Sequence, residues 1–284
     1  MHIPVLLNEV IEGLNLKKGA RVVDCTLGDG GHSKTILEKI GSSGKLLAID
    51  TDKENVKKAK VKLPEAILVN DNFVNLKKIL EKNKFGKVDA ILMDLGWSTT
   101  QFEESGRGFS FQKPNEPLNM RLGGSGITAA DILNTWTEAE IGQLIRMYGE
   151  DTRWKQIAKQ IFERRKKKKF EIVDDILEIV GRVNKGKIHP ATKVFQALRI
   201  GVNEELKVLK EVIPQAVEML NPKGRLAIIS FHSLEDRIVK NFFQDFAIKK
   251  QLLNISKKPI TAAVAELANN PKSRSAKLRI AEKL

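Results

Sequence analysis

The chain has 284 residues, with 49 Lys and Arg against 35 Asp and Glu, a formal charge of +14 that favours an anionic macromolecular partner such as nucleic acid. A hydrophobic fraction of 42% supports a packed core and excludes a disordered chain, and the single cysteine, Cys25, excludes an intramolecular disulfide and a multi-cysteine zinc site. The opening MHIPVLLNEV lacks the basic flank and apolar segment of a signal peptide, and no run reaches membrane-spanning length, so a soluble, cytoplasmic protein without membrane contacts is expected.

The stretch RVVDCTLGDGGHSKTILEKIGSSGKLLAID, residues 21–50, reads as strand, glycine turn, helix and strand. Val22 and Val23 lead to Asp24, the turn carries Gly28, Gly30 and Gly31, residues 33–40 read as a helix, and residues 46–49 lead to Asp50. This is the first βαβ unit of an open α/β sheet, which binds ligands beyond the carboxyl ends of its strands. Glycines admit a close ligand, and an acid closing the second strand suits two ribose hydroxyls. A dinucleotide fold requires G-x-G-x-x-G, but Ser33 takes the third position, and Asp24 would repel a pyrophosphate. An acid there suits a sulfonium and an ammonium, so S-adenosylmethionine is favoured over a nicotinamide cofactor. Cys25, next to Asp24, reads as a packed core thiol.

Alternation continues, with helices over 53–63 and 74–82, a strand over 66–69 ending at Asn70-Asp71-Asn72-Phe73, and the buried strand VDAILMDL over 88–95. From 106 to 195 no strand is predicted. RGFSFQKPNEPLNMRLGGSG is a punctuated loop. Helix starts follow at Thr128 with Asp131, at Thr137 with Glu140 and at Asp151, the last helix running into the basic block 164–169. Another helix covers 172–183. Residues 194–220 are helical with a break expected at Pro214, Gly224 reads as a helix-end glycine, and 225–231 is a fifth buried strand. Ser233 with Asp236 caps a helix to 246, and short strands are expected around 254–260 and 276–282. The fold class is therefore α/β, a Rossmann-like seven-stranded sheet with an inserted all-helical domain: core at 1–105 and 196–284, insertion at 106–195.

Several strings carry more than architecture: TLGDGGHS, RGFSF, PLNMR, YGED, HPATKVFQALRI, ISFHSLEDRIVK and NPKSRSAKLR. In order and over nearly the whole chain, they closely resemble the ribosomal RNA small-subunit methyltransferase H (MraW) family. The resemblance implies a class I S-adenosylmethionine-dependent methyltransferase domain. It also implies methylation of the exocyclic N(4) of a cytidine in the decoding region of 16S rRNA, with the small ribosomal subunit as partner. Carried onto this sequence, the family's cofactor positions are Gly30, Gly31, His32, Asp50, Phe73, Asp94 and Gln101. Gly30 and Gly31 would give backbone access, Asp50 would take the ribose, and Phe73 would pack on the adenine, with Asp71 or Asn72 near its amino group. Two departures fall beside the site. Family members usually read D-L-G-V/I-S-S where this chain has Trp97 and Thr99, and P-L-D-M-R where it has Asn119.

An acceptor bonded to the amino hydrogens would localise the nitrogen lone pair for in-line attack. Asp94 at the fourth strand end is the first candidate, with Ser98 or Asn119 second; the [DNS]PP[YF] loop of other amino-methyltransferases is absent, so the role rests on position. Trp97, Phe109 and Phe111 are candidates for stacking on an unstacked base, and Arg107, Arg121 and Arg199 for phosphate or base contacts. The block 164–169 could track RNA backbone. Ser233, His232 and Asp236 do not form a hydrolase triad, because adjacent side chains diverge and two of them fit a helix cap. No metal is expected: His2, His32, His189 and His232 are scattered. The competing reading is a catalytically weak RNA-binding assembly factor that kept the fold, suggested by Trp97 and Asn119. Oligomeric state is not legible.

Overall fold

Near-continuous apolar segments pair as parallel strands, because only strands covered on both faces can be apolar throughout. The computed structural model describes residues 3–95, 105–123, 126–181 and 189–284. Two units form, Met1–Ser98 with Leu206–Leu284, and Thr99–Glu205. In chain order the first contributes α1 (Leu7–Leu14), β1 (Arg21–Asp24), α2 (Gly31–Ile40), β2 (Lys45–Asp50), α3 (Lys53–Lys62), β3 (Ile67–Asn70), a 3₁₀ turn at Phe73–Asn75, α4 (Leu76–Lys82) and β4 (Val88–Asp94). The second carries α5 (Ala129–Thr135), α6 (Glu138–Leu144), a π turn at Ile145–Gly149, α7 (Trp154–Arg165), α8 (Val173–Val180) and α9 (Ala191–Asn203). The chain then returns through α10 (Glu205–Met219), β5 (Leu220–Ser230), α11 (Ser233–Ile248), β6 (Leu252–Asn254), α12 (Val264–Asn269) and β7 (Lys277–Lys283).

The seven strands form one sheet in the order β3-β2-β1-β4-β5-β7-β6, parallel from β3 to β5, with β7 antiparallel to both of its neighbours. Strand alternation splits the core over the two faces. Val23, Leu47, Ile91 and Leu226 pack with α4, α10 and α11, while Val22, Leu46, Leu92 and Ala227 pack with α1 and α2. Register places Asp24 beside Ala48 and Leu92, Asp50 beside Asn70, and Asp94 beside Ile229. The carboxyl ends of four strands therefore share one edge. Among the described residues, no helix is long and apolar enough to cross a membrane.

The structure corrects several local expectations. The long helical stretch breaks at Glu204, which adopts φ 48, and Pro214 lies inside α10. Gly224 lies within β5, following Lys223 at φ 65, so it does not close a helix. The cap of α11 is His232, whose Nδ1 accepts the Glu235 N–H while Glu235 accepts the Phe231 and His232 N–H groups. Asp236 instead pairs with Arg279, tying α11 to β7.

In the second unit Thr128 with Asp131 and Thr137 with Glu140 form capping boxes. Asp151 does not cap α7; its carboxylate accepts the Arg153 N–H and pairs with the Arg153 guanidinium. The basic block divides by role. Arg164 clamps Asp175, Glu178 and the carbonyls of Lys168 and Lys169, and Arg165 binds the carbonyls of Leu133 and Trp136. α9 belongs to this unit, which therefore extends past the residue 195 boundary read from sequence: Phe195 meets Phe111 edge-on, and Gln196 donates to the Tyr148 carbonyl. Residues 99–205 hold 18 Lys and Arg against 15 Asp and Glu, so +11 of the +14 lies in the sheet unit.

Asp175 is buried at the start of α8, where its carboxylate accepts the Glu171 and Ile172 N–H groups and pairs with Arg164 and Lys168. Burial alone would raise its pKa, but these donors outweigh it and bring the carboxyl down to about 2. Its stabilising contribution is complete above the unfolded-state value near 4 and is lost as pH falls through about 2. Asp175→Ala is expected to cost about 3 kcal/mol at neutral pH, measured by urea denaturation, because it removes the buried acceptor shared by the Glu171 and Ile172 N–H groups, Arg164 and Lys168. An unchanged midpoint would contradict this assignment.

Candidate active site at the strand ends

Asp24 closes β1 with 1% of its surface exposed. One oxygen, Oδ1, accepts the Thr26 N–H at 3.0 Å and faces the Thr26 hydroxyl at 3.4 Å; Oδ2 accepts the Ser33 hydroxyl at 2.6 Å. The Thr26 oxygen in turn accepts the Asp94 N–H at 2.7 Å. A single buried carboxylate thus fixes both the first turn of α2 and the end of β4. Cys25 beside it is buried, and burial together with the Asp24 charge pushes its thiol well up.

Asp50 closes β2. Its Oδ2 accepts the Gly28 N–H at 2.9 Å and the Asn55 amide at 3.1 Å, and its Oδ1 accepts the Asp52 N–H at 2.8 Å. Burial pushes its carboxyl up to about 6, against the lowering effect of those donors. A carboxylate has about four acceptor positions, so three donors leave room for one more, and a ribose hydroxyl fits that chemistry. Gly30, the residue before α2, sits at φ 82, a conformation that costs glycine least.

Gly31 has a use beside the backbone access expected of it. A Cβ there would collide with the Pro4 ring, so the missing side chain makes room for the N-terminal segment. That segment is strapped from both sides: the Leu6 N–H donates to Glu266, Asn270 donates to the Ile3 carbonyl, and the Val5 carbonyl lies 3.0 Å from His32 Nε2. The other ring nitrogen of buried His32, Nδ1, lies 3.7 Å from Asp94 Oδ2. Half-buried Phe73 opens the 3₁₀ turn after β3 and packs against the core. Asn72 and Asp71 each accept a neighbouring backbone N–H, of Val74 and Asn72 respectively.

The sheet edge therefore gathers Gly30, Gly31, His32, Asp50, Phe73 and Asp94 within one unit. Gln101, Trp97 and Ser98 lie outside the described residues. The candidates in the second unit are held by that unit itself. Phe109 is 3% exposed and belongs to its core, so it offers no face for stacking on a base. Phe111 stacks on His189 with ring centroids 4.4 Å apart. Asn119 Oδ1 accepts both the backbone N–H and the Nε–H of Arg121, and Arg107 donates to the carbonyls of Arg121 and Leu122. Arg199 forms a two-bond pair with Glu205. Thr26 and Asn55 went unread in the sequence; a hydroxyl two residues beyond a strand-end acid was the available signal for Thr26.

The chain matches the MraW methylase family over residues 1–284. A ribosomal RNA small subunit methyltransferase H of Dictyoglomus thermophilum is 48% identical over 289 residues, spanning 100% of this chain and 97% of that relative. Its namesake in Dehalococcoides mccartyi is 44% identical over 303 residues, spanning 100% of this chain and 86% of the relative. Another, from Clostridium botulinum, is 42% identical over 306 residues, with coverage of 100% and 99%.

The bridging hydroxyl yields a direct test. Thr26→Val keeps the side-chain shape and removes the acceptor of the Asp94 N–H, which is expected to cost about 1–2 kcal/mol in chemical denaturation. Wild-type stability in this variant would show that the Asp24–Thr26–Asp94 link carries no energy.

Proposed function

Because this chain belongs to the MraW methylase family, we propose that it transfers a methyl group from S-adenosylmethionine to the exocyclic N(4) of a cytidine. The proposed substrate is 16S rRNA of the small ribosomal subunit, in its decoding region. The observation that carries the reading is the strand-end array: Asp50 with an acceptor position for a ribose hydroxyl, and Asp94 two strands away on the same edge, fixed through Thr26. When bound, S-adenosylmethionine supplies a methyl carbon made electrophilic by its sulfonium. Asp50 holds the ribose, Gly30 brings backbone close to the cofactor, Phe73 borders the adenine, and Gln101 completes the set carried over from the family.

Asp94 accepts a hydrogen of the target amine, which localises the nitrogen lone pair and receives the proton as nitrogen becomes methylated. Ser98 is the second acceptor. Asn119 is a weaker choice than its position in the sequence suggests, since Arg121 already occupies its oxygen. Cysteine chemistry favours the amine over the ring: methylation at pyrimidine C5 needs a thiolate to add to the ring, and the one thiol, Cys25, is buried with its pKa pushed up. Trp97 is proposed to stack on the target base. The positive charge of the sheet unit, dense on α3 where Lys53, Lys57, Lys58, Lys60 and Lys62 are exposed, suits an RNA backbone. The proposed partner is 16S rRNA, free or within the small ribosomal subunit, and the proposed location is the cytoplasm.

Wild-type protein is expected to move label from S-adenosylmethionine to small subunits that lack the modification. Asp94→Ala should lower that rate by about 10²-fold or more. Wild-type transfer in this variant, with cofactor binding intact by calorimetry, would remove Asp94 from the mechanism. Cofactor affinity should also depend on pH through Asp50, whose charged form accepts the ribose. Affinity should rise with pH and level off above about 6, being about tenfold weaker one unit below that value. Asp50→Asn should bind weakly at every pH. The same slope in that variant would assign the titration to another group.

A further inference from the structure

The Val5 carbonyl can only accept, so the 3.0 Å contact places a hydrogen on Nε2 of His32. In the neutral ring Nδ1 then carries a lone pair, and it faces Asp94 Oδ2 at 3.7 Å. Two acceptors set against each other in a site where His32 is 7% exposed are reconciled when one proton enters between them. Among the described residues, two further acids near the ring and its strap have partners of their own. Asp24, reached through the neighbouring Ser33, is engaged with Ser33 and Thr26, and Glu266 of α12 is engaged with the Leu6 N–H.

We propose that His32 is a positioning residue for Asp94, a second station for the proton released from the target amine, with its tautomer set by the N-terminal strap. The proposal rests on the assignment of Asp94 as the acceptor in amine methylation. In the reaction a bond forms between the exocyclic nitrogen and the methyl carbon. The sulfur–carbon bond breaks with its electron pair staying on sulfur, giving S-adenosylhomocysteine. The proton from nitrogen goes to Asp94 Oδ2 and on to His32 Nδ1, and leaves to solvent after product release. Gly31 has a part in this arrangement: its missing side chain admits Pro4, and Pro4 precedes the Val5 carbonyl that fixes the ring. Gly31 and His32 of the TLGDGGHS string are thereby linked to the N-terminal residues 3–6.

The test reads the ring directly. Protein labelled with ¹⁵N-histidine, with its four histidines assigned by substitution, is expected to show the His32 hydrogen on Nε2 in the neutral ring. Nδ1 should be the nitrogen that gains a proton on acidification, and its signal should shift in Asp94→Asn. A neutral ring carrying its hydrogen on Nδ1, or an Nδ1 signal indifferent to Asp94→Asn, would overturn the proposal. His32→Gln provides the kinetic arm, since its amide can still donate to the Val5 carbonyl but offers no base. Turnover at saturating cofactor should fall by about tenfold to 10²-fold. The acid limb of the pH–rate profile should move to lower pH, because a carboxylate alone holds a proton less tightly than a carboxylate with an imidazole behind it. Equal turnover and an unmoved limb would overturn the proposal. The spectra need no RNA, so failure of the wild type to methylate cytidine would count against the functional reading and is distinguishable from a wrong ring geometry.

Discussion

The buried carboxylate of Asp24 is the constraint on which the site depends. It lies at the end of a central strand, almost wholly out of water, and its oxygens are committed to donors on two different elements. Through Ser33 it holds the first turn of α2, and through Thr26 it holds the backbone at Asp94. A buried charge is tolerated only when its donors are in place, so the same interaction that keeps it folded also fixes the distance between the glycine turn and the end of β4. In the sequence Asp24 reads as an acid that disfavours phosphate and suits a sulfonium and an ammonium. Its geometry makes it the residue that places the ligands.

The two acids on either side of it have opposite surroundings. Asp50 is buried among three donors yet keeps a raised pKa, so its charge is held at a cost that a ribose hydroxyl would help offset. Asp94 has 21% of its side chain exposed and faces an imidazole. In the proposed reaction one holds the ribose and the other exchanges a proton, a separation set by environment acting on the same side chain.

Much of this was legible because parallel strands must be apolar throughout and must end together. VDAILMDL and KLLAID announced β4 and β2, and their closing acids fell on the same edge as Asp24. Capping boxes at Thr128 and Thr137 were equally readable, since the spacing itself is the interaction. What spacing leaves open has one cause. Whether a polar side chain points at a ligand or at its own chain depends on contacts that spacing does not encode. Arg107, Arg121, Arg199 and Asn119 have the right chemistry for RNA, and each also bonds a carbonyl or side chain in its own unit. Phe109 had the right shape and is core. The break at Glu204 was unreadable for another reason: a positive φ at a non-glycine is imposed by the packing around it, while Pro214 can sit inside a helix that packing holds.

The account commits to an amine as the methyl acceptor, on the grounds that Asp94 can take an amine proton and that Cys25 is in no state to attack a pyrimidine ring. The most direct test is the chemical identity of the product. Small subunits lacking the modification, treated with this protein and S-adenosylmethionine and digested to nucleosides, should yield N(4)-methylcytidine by mass spectrometry. Label recovered as 5-methylcytidine, or on a ribose hydroxyl, would contradict the account at its centre.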